Sequence, residues 1–234
     1  MSVSEILSQN LQAISAEIRS ACVRVGRDPA SVRLVAVTKY AEWPCVLELS
    51  HLHQTFGENR PHQLAERQSL LSNVEWHLIG QLQRNKVRTA VMHSAMIHSV
   101  DSLRLLERIA DMATDPDVNL RLLLQVNVSE ETSKSGFTTE DLWNQWPNIL
   151  KFTERVRIDG LMTMAAESDN PEDARPVFRS LRELRDRLVS RHDSNTAGLT
   201  LPELSMGMSG DFVPAIEEGA TLIRIGSRIF AGLN

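Results

Sequence analysis

The 234-residue chain holds a single tyrosine, two cysteines and four lysines against 21 arginines, and aromatic residues make up only 5% of it. Each scarcity excludes something. Two cysteines, Cys22 and Cys45, form neither a disulfide framework nor a metal-ligand cluster, which points to a reducing, cytoplasmic setting. His51 and His53 flank Leu52 with no cysteine or acid at ligand spacing, so no metal is expected. The formal net charge of −5 leaves no basic surface for nucleic acid. The densest arginine run, Arg175–Arg191, is interleaved with Glu183 and Asp186 and preceded by Glu172 and Asp173, the pattern of a solvated helix face. No apolar run approaches transmembrane length, and the amphipathic N-terminus carries acids rather than an apolar signal core, so no membrane span is expected.

What is present is a repeat of short apolar runs and helical patterns. With 42% hydrophobic residues the chain buries a substantial core. A helix over Val3–Val25 precedes strands expected at Leu34–Thr38, Thr55–Asn59, Glu75–Ile79, Met96–Val100, Leu120–Val128, Val156–Met162, Leu201–Met206 and Ala220–Ile225. Helical patterns separate them, including Gln63–Leu71, Ser102–Met112, Glu140–Phe152, Pro171–Arg191 and Phe212–Glu218. Eight β/α units imply parallel strands and right-handed crossovers, hence an α/β fold closed as a single-domain (β/α)8 TIM barrel. The N-terminal helix occupies 1–26 and the barrel 31–230 of one domain, 1–234. A doubly wound open sheet is the alternative. Polar loops are expected at Ser129–Gly136, which contains Lys134, and at Ser190–Leu199.

The first strand ends in Lys39, at the carboxyl end where such folds place their chemistry. Alternation gives Val35, Val37 and Lys39 one face, so the amine is expected to point inward. A primary amine can lose its proton when desolvated and attack an aldehyde, which guanidinium cannot do. The alternative is a lysine that reaches out to solvent. Late in the chain, LSMGMSGDF (Leu204–Phe212) and IRIGS (Ile223–Ser227) put glycine and serine at strand-to-helix turns, where free N–H groups favour an anion. Ser209 caps a helix or donates to phosphate. Gly226 lets a backbone come close, and Ser227 adds a hydroxyl. Arg224 shares a face with Leu222 and Gly226 and needs a partner if buried. His77 either faces the barrel interior or is a satisfied core histidine, and Trp143 and Trp146 read as core.

The motifs AVTK (Ala36–Lys39), FGEN (Phe56–Asn59), WHLIGQLQRNK (Trp76–Lys86), HSVDS (His98–Ser102), VNVSEETSKSG (Val126–Gly136), GLMTM (Gly160–Met164), LSMGMSGD and IRIG together resemble the pyridoxal phosphate homeostasis protein family. That family is related to the fold-type III alanine racemase barrel. The resemblance implies a cofactor, pyridoxal 5'-phosphate (PLP), held as a Schiff base on Lys39. Asn59, Ser209, Arg224, Gly226 and Ser227 would surround it, with Arg224 at the pyridine nitrogen. It further implies buffering or delivery of PLP to apo enzymes by a monomer, with no catalytic residue. An amino-acid racemase and a Schiff-base aldolase are the competing functions. Two segments depart from the family pattern. Arg60–Pro61 follows FGEN where a tyrosine is usual, and IFAGLN (Ile229–Asn234) stands where the family usually has a glycine directly after the phenylalanine and a longer tail.

Overall fold

The computed structural model describes residues 1–113, 120–129, 135–191 and 199–233. Eight parallel strands close on themselves in chain order. They are β1 Arg33–Val37, β2 Thr55–Glu58, β3 Glu75–Leu78, β4 Met96–Val100, β5 Arg121–Gln125, β6 Arg157–Met162, β7 Glu203–Ser205 and β8 Leu222–Ile225. Closure is made by β1 on β8, from Arg33 opposite Leu222 to Ala36 opposite Ile225. Helix α1 (Val3–Arg24) precedes the barrel. The helices between strands are α2 Trp43–Ser50, α3 Pro61–Leu70, α4 Val87–His93, α5 Leu103–Met112, α6 Thr139–Ile149, α7 Arg175–Ser190 and α8 Phe212–Glu217. The expected barrel is the one found.

Local chemistry sets the element ends. Ser2 and Glu5 form a reciprocal capping box on α1: Glu5 N donates to Ser2 Oγ at 3.3 Å, and Ser2 N to Glu5 Oε2 at 2.7 Å. This satisfies two N–H groups that the first turn leaves open. Arg60 precedes α3 and Pro61 takes its first position, where a missing N–H costs nothing. Two strands, β7 and β5, fall short of the expected ranges by three residues or more. Leu201 has a left-handed backbone (φ 42°) and Pro202 has no N–H to donate, so β7 starts only at Glu203. β5 stops at Gln125, after which Val126 makes a single bridge to Phe137. The expected helix Pro171–Arg191 opens with a 3-10 turn over Pro171–Ala174. Lys134 lies outside the described residues, as does most of each expected polar loop.

Strand alternation splits the apolar residues into two cores. Leu34, Ala36, Phe56, Trp76, Leu78, Ile97, Leu122, Leu124, Leu161, Leu204, Ile223 and Ile225 face the helices. Val35, Met96, Leu123, Met162 and Leu222 fill the barrel interior, with Ile79 packed on them. Burying one such side chain stabilises by about 1.5–3 kcal/mol. Close strand packing has its own requirement at Gly160, where a Cβ would lie 1.8 Å from Glu203 O across the β6–β7 pairing. Five of the eight strands begin on charged residues, at the barrel floor. Arg33 Nη2 donates to Glu203 Oε1 at 2.6 Å, and Arg121 pairs with Glu75.

The arginines of α7 make an interhelix network rather than a merely solvated face. Buried Glu218, just past α8, meets Arg175, Arg179 and Arg182 at 3.6, 3.0 and 3.1 Å. His53 Nε2 bonds Leu34 O at 2.9 Å. Trp146 is buried, whereas half-buried Trp143 is flanked by the guanidinium groups of Arg187 and Arg191 at 4.7 and 4.6 Å.

Candidate functional site

The segments that leave β7, β8, β1 and β2 are consecutive around the closed barrel. All six candidate residues lie on these four strands or their exits: Ser209 after β7, Arg224 on β8, Gly226 and Ser227 after β8, Lys39 after β1 and Asn59 after β2. The barrel thus collects at one rim what the sequence spreads over 189 positions from Lys39 to Ser227.

Lys39 departs from the expected burial. Up the inner face of β1, Val35 is buried, Val37 half-buried and Lys39 exposed, with Nζ 4.8 Å from the ring centroid of Tyr40. β1 ends at Val37, so the expected alternation does not extend to the lysine, which stands exposed in the turn after the strand. That turn is clamped from below. Thr38 Oγ1 donates to Glu58 Oε1 at 2.5 Å. Arg67 pairs with the same oxygen and donates to the carbonyls of Thr38 (2.7 Å) and Ala41 (3.1 Å). Glu58 is fully buried and its other oxygen, Oε2, has no hydrogen-bond partner. Burial pushes its carboxyl up, against the opposing pull of Thr38 and Arg67.

The β7 and β8 exits form a donor set. Met208 N donates to Asp211 Oδ1 at 2.6 Å, and Phe212 N to Met208 O at 3.0 Å. The N–H groups of Ser209, Gly210, Ser227 and Arg228 have no hydrogen-bond acceptor among the described residues. Such adjacent N–H groups, with the Ser209 and Ser227 hydroxyls, suit an anion. The expected helix contribution is smaller than the sequence suggests: α8 has six residues, and the segment after β8 is a turn. Gly226 is also explained differently. A Cβ there would meet Val37 O at 3.1 Å and Val37 Cβ at 3.3 Å, so its first requirement is close packing of β8's exit on β1.

Arg224 is buried, as an inward position requires. Its Nη1 donates to Ser205 Oγ at 2.6 Å and its Nη2 to Thr163 O at 3.0 Å. Burial lowers its pKa to about 10, with the Asp211 carboxylate opposing, so it is a cation at neutral pH. Burial in turn raises Asp211, against the Met208 N–H and the Arg224 charge. His77 is both of the things its sequence position left open: it faces the interior, and both ring nitrogens are engaged, by Glu75 and His98. Ser205, His98, Glu58 and Arg67 were not singled out from the sequence. A signal exists for the first two, polar residues at inward alternate positions of otherwise apolar strands.

Comparison with known proteins decides the kinship. The sequence profile of the alanine racemase N-terminal domain matches residues 9–233. The pyridoxal phosphate homeostasis protein of Aquifex aeolicus is 37% identical over 225 residues, covering 95% of this chain and 96% of that one. The chain belongs to the pyridoxal phosphate homeostasis protein family. The Pseudomonas aeruginosa member is also 37% identical, over 96% of this chain and 94% of its own. Among solved structures, PipY of Synechococcus elongatus with PLP bound superposes with a TM-score of 0.80 at 32% identity, over 98% of this chain and all of that one. Within the family pattern, the Arg60–Pro61 departure is absorbed by the start of α3. The divergent tail is tied to α1 by Asn10 Nδ2, which donates to Ile229 O and Ala231 O at 2.9 and 3.0 Å. The tail also meets the β8 exit directly, where Ile229 N donates to Gly226 O at 2.9 Å.

Proposed function

We propose that this chain binds PLP at the β7–β8–β1–β2 rim and serves its homeostasis, by buffering and delivery, without dedicated catalysis. The observation that carries the reading is the convergence there of an accessible primary amine, an acceptor-free donor set and a buried guanidinium. These match the aldehyde, the phosphate and the ring nitrogen of that cofactor. When bound, PLP supplies an aldehyde, an electrophile that an amine captures with loss of water. Lys39 offers that amine from a turn fixed by Glu58 and Arg67. Ser209, Ser227 and the N–H groups of Ser209, Gly210, Ser227 and Arg228 bind the phosphate. Arg224, which can only donate, faces an unprotonated ring nitrogen, and Asn59 borders the Lys39 turn on the β2 side.

An amino-acid racemase is the second reading, favoured by the alanine racemase profile. It needs proton carriers on two faces of a substrate. The single tyrosine, Tyr40, is 87% exposed and adjoins Lys39 in one turn, so the two groups serve one side. The proposal extends to PLP enzymes in apo form as recipients, to a monomer, and to the reducing cytoplasm in which Cys22 and Cys45 stay free. Among the described residues no helix is long and apolar enough to cross a membrane.

The test is the absorption spectrum of freshly purified or PLP-supplemented protein, followed by borohydride reduction and peptide mapping. Yellow protein with the pyridoxyl label on Lys39 is expected. Label on Lys86, Lys134 or Lys151 overturns the amine assignment. A colourless protein that takes up no PLP overturns the function and leaves an aldolase, which needs no chromophore.

A further inference from the structure

Inside the barrel, five polar side chains form one line. Glu75 Oε1 is 2.7 Å from His77 Nε2, and His77 Nδ1 is 2.9 Å from His98 Nε2. His98 Nδ1 is 2.8 Å from Ser205 Oγ, which is 2.6 Å from Arg224 Nη1. The imidazoles, 5.0 Å apart between centroids, are sealed from solvent, as is Ser205. The line starts on the ionic floor and ends at Arg224, the buried cation among the six candidate residues.

The ends fix every proton between them. Arg224 can only donate. Glu75 is an acceptor: the His77 hydrogen bond, with the Arg121 and Arg33 charges, holds its pKa down to about 2. A neutral imidazole has one donor and one acceptor nitrogen. His77 therefore donates from Nε2 to Glu75, leaving Nδ1 to accept from His98 Nε2. His98 Nδ1 then accepts the Ser205 hydroxyl hydrogen, and Ser205 accepts from Arg224. Each hydrogen has one acceptor and the order runs one way, from Arg224 to Glu75. Protonating His98 would make Nδ1 a second donor toward Ser205 and strand the hydroxyl hydrogen of a fully buried serine, at a cost of about 1–3 kcal/mol. The charged groups bearing on the two rings are Glu75, Arg121 and Arg33 at the floor and Arg224 above. Burial is the largest influence on both rings and keeps them neutral, His98 most strongly.

We propose that Glu75, His77, His98 and Ser205 are positioning residues for Arg224, a one-way hydrogen-bond line that fixes the guanidinium's rotation and tunes the rim for an unprotonated aromatic ring nitrogen. Ser205 accepts from the guanidinium and gives its own hydrogen away from it, so the line has no proton to pass toward the rim. Thr163 O holds the second guanidinium nitrogen, completing the orientation. The ligand half of this inference rests on PLP being the occupant; the tautomers do not.

Two measurements test it. Long-range proton–nitrogen NMR of the ligand-free, nitrogen-15-labelled protein, with His77→Gln and His98→Gln for assignment, is expected to show both rings as Nε2–H tautomers that do not titrate between pH 5 and 9. An Nδ1–H tautomer, or a midpoint near the ordinary histidine value in either ring, overturns the line. For the ligand, Ser205→Ala is expected to weaken PLP about tenfold or more, the scale of one hydrogen bond to a charged group. The same variant should leave 1-deaza-PLP, which lacks the ring nitrogen, within about twofold, and Ser205→Thr, which keeps the hydroxyl, should restore PLP. Equal loss for both ligands, or none for either, overturns the positioning role. Wild-type protein that binds neither overturns the PLP reading and the ligand half with it, while the tautomers still decide the line.

Discussion

Replacing Arg67 with methionine tests how the Lys39 turn is held. The substitution keeps a long side chain but removes the one cation paired with Glu58 among the described residues, together with the donors to Thr38 O and Ala41 O. Removing one partner of a buried ion pair costs about 3–5 kcal/mol, because the remaining charge is left uncompensated. In a chain of this length each kcal/mol lowers Tm by about 2–4 °C, so Arg67→Met should melt about 6–20 °C below the parent. The pH dependence sharpens the test. Glu58 is raised by burial in the folded protein, so between the unfolded carboxylate pKa and the folded one the native state binds more protons. Its contribution to stability is then greatest at low pH and is lost as pH rises through the folded pKa. Without Arg67 the folded pKa rises further, so urea unfolding should show a larger penalty at pH 7.5 than at pH 5. Glu58→Gln in the same chain should recover much of the neutral-pH loss, since no buried charge then remains. A penalty under about 1 kcal/mol, or one equal at both pH values, would refute the clamp.

The remaining expectations concern the rim. Ser209→Ala with Ser227→Ala should weaken PLP at least tenfold relative to pyridoxal, which lacks the phosphate; equal loss places the phosphate elsewhere. Gly226→Val should lower Tm even without ligand, because its Cβ meets Val37 O at 3.1 Å; unchanged Tm would restore a role in ligand approach alone. PLP-loaded protein should racemise a panel of amino acids well below about one turnover per second, an ordinary enzymatic rate; turnover at or above it would move the racemase reading to first place.

The strand-and-helix alternation made the closed barrel legible, because periods of 2 and 3.6 in apolar residues are local signals that survive in any context. So did the six rim candidates, which share the carboxyl-end position common to such folds. Lys39 shows where that stops. Alternation assigned it an inward face, but it lies two residues past the end of β1 and is exposed, and where β1 ends is set by the β1–β2 and β1–β8 pairings. Gly226 reads in sequence as room for a ligand, whereas its tightest neighbour is a strand 189 residues away at Val37. Glu58, Arg67, His98 and Ser205 were hidden for the same reason. Their roles are pairings across strands and from helix to loop, with partners 9 to 107 residues apart; only the inward alternate positions of His98 and Ser205 leave a local trace, and nothing local marks Glu58 or Arg67.

The rim and the interior line argue in the same direction about chemistry. PLP enzymes that need a strong electron sink keep the ring nitrogen protonated with a carboxylate, and their sites exclude water. Here the group assigned to that nitrogen is a guanidinium that cannot surrender a proton at neutral pH. Behind it the hydrogen bonds are ordered so that each hydrogen points toward Glu75 and away from the rim. The amine that would capture the aldehyde stands exposed beside an exposed Tyr40. On the proposed reading, water would reach a bond made by Lys39 there, and capture would be open to reversal by hydrolysis. Reversibility limits an enzyme that must commit its substrate, but a carrier must release what it holds. On the proposed reading, the same features that would weaken the electron sink would protect the cargo from side reactions while it is held, and an open Lys39 turn would let it leave.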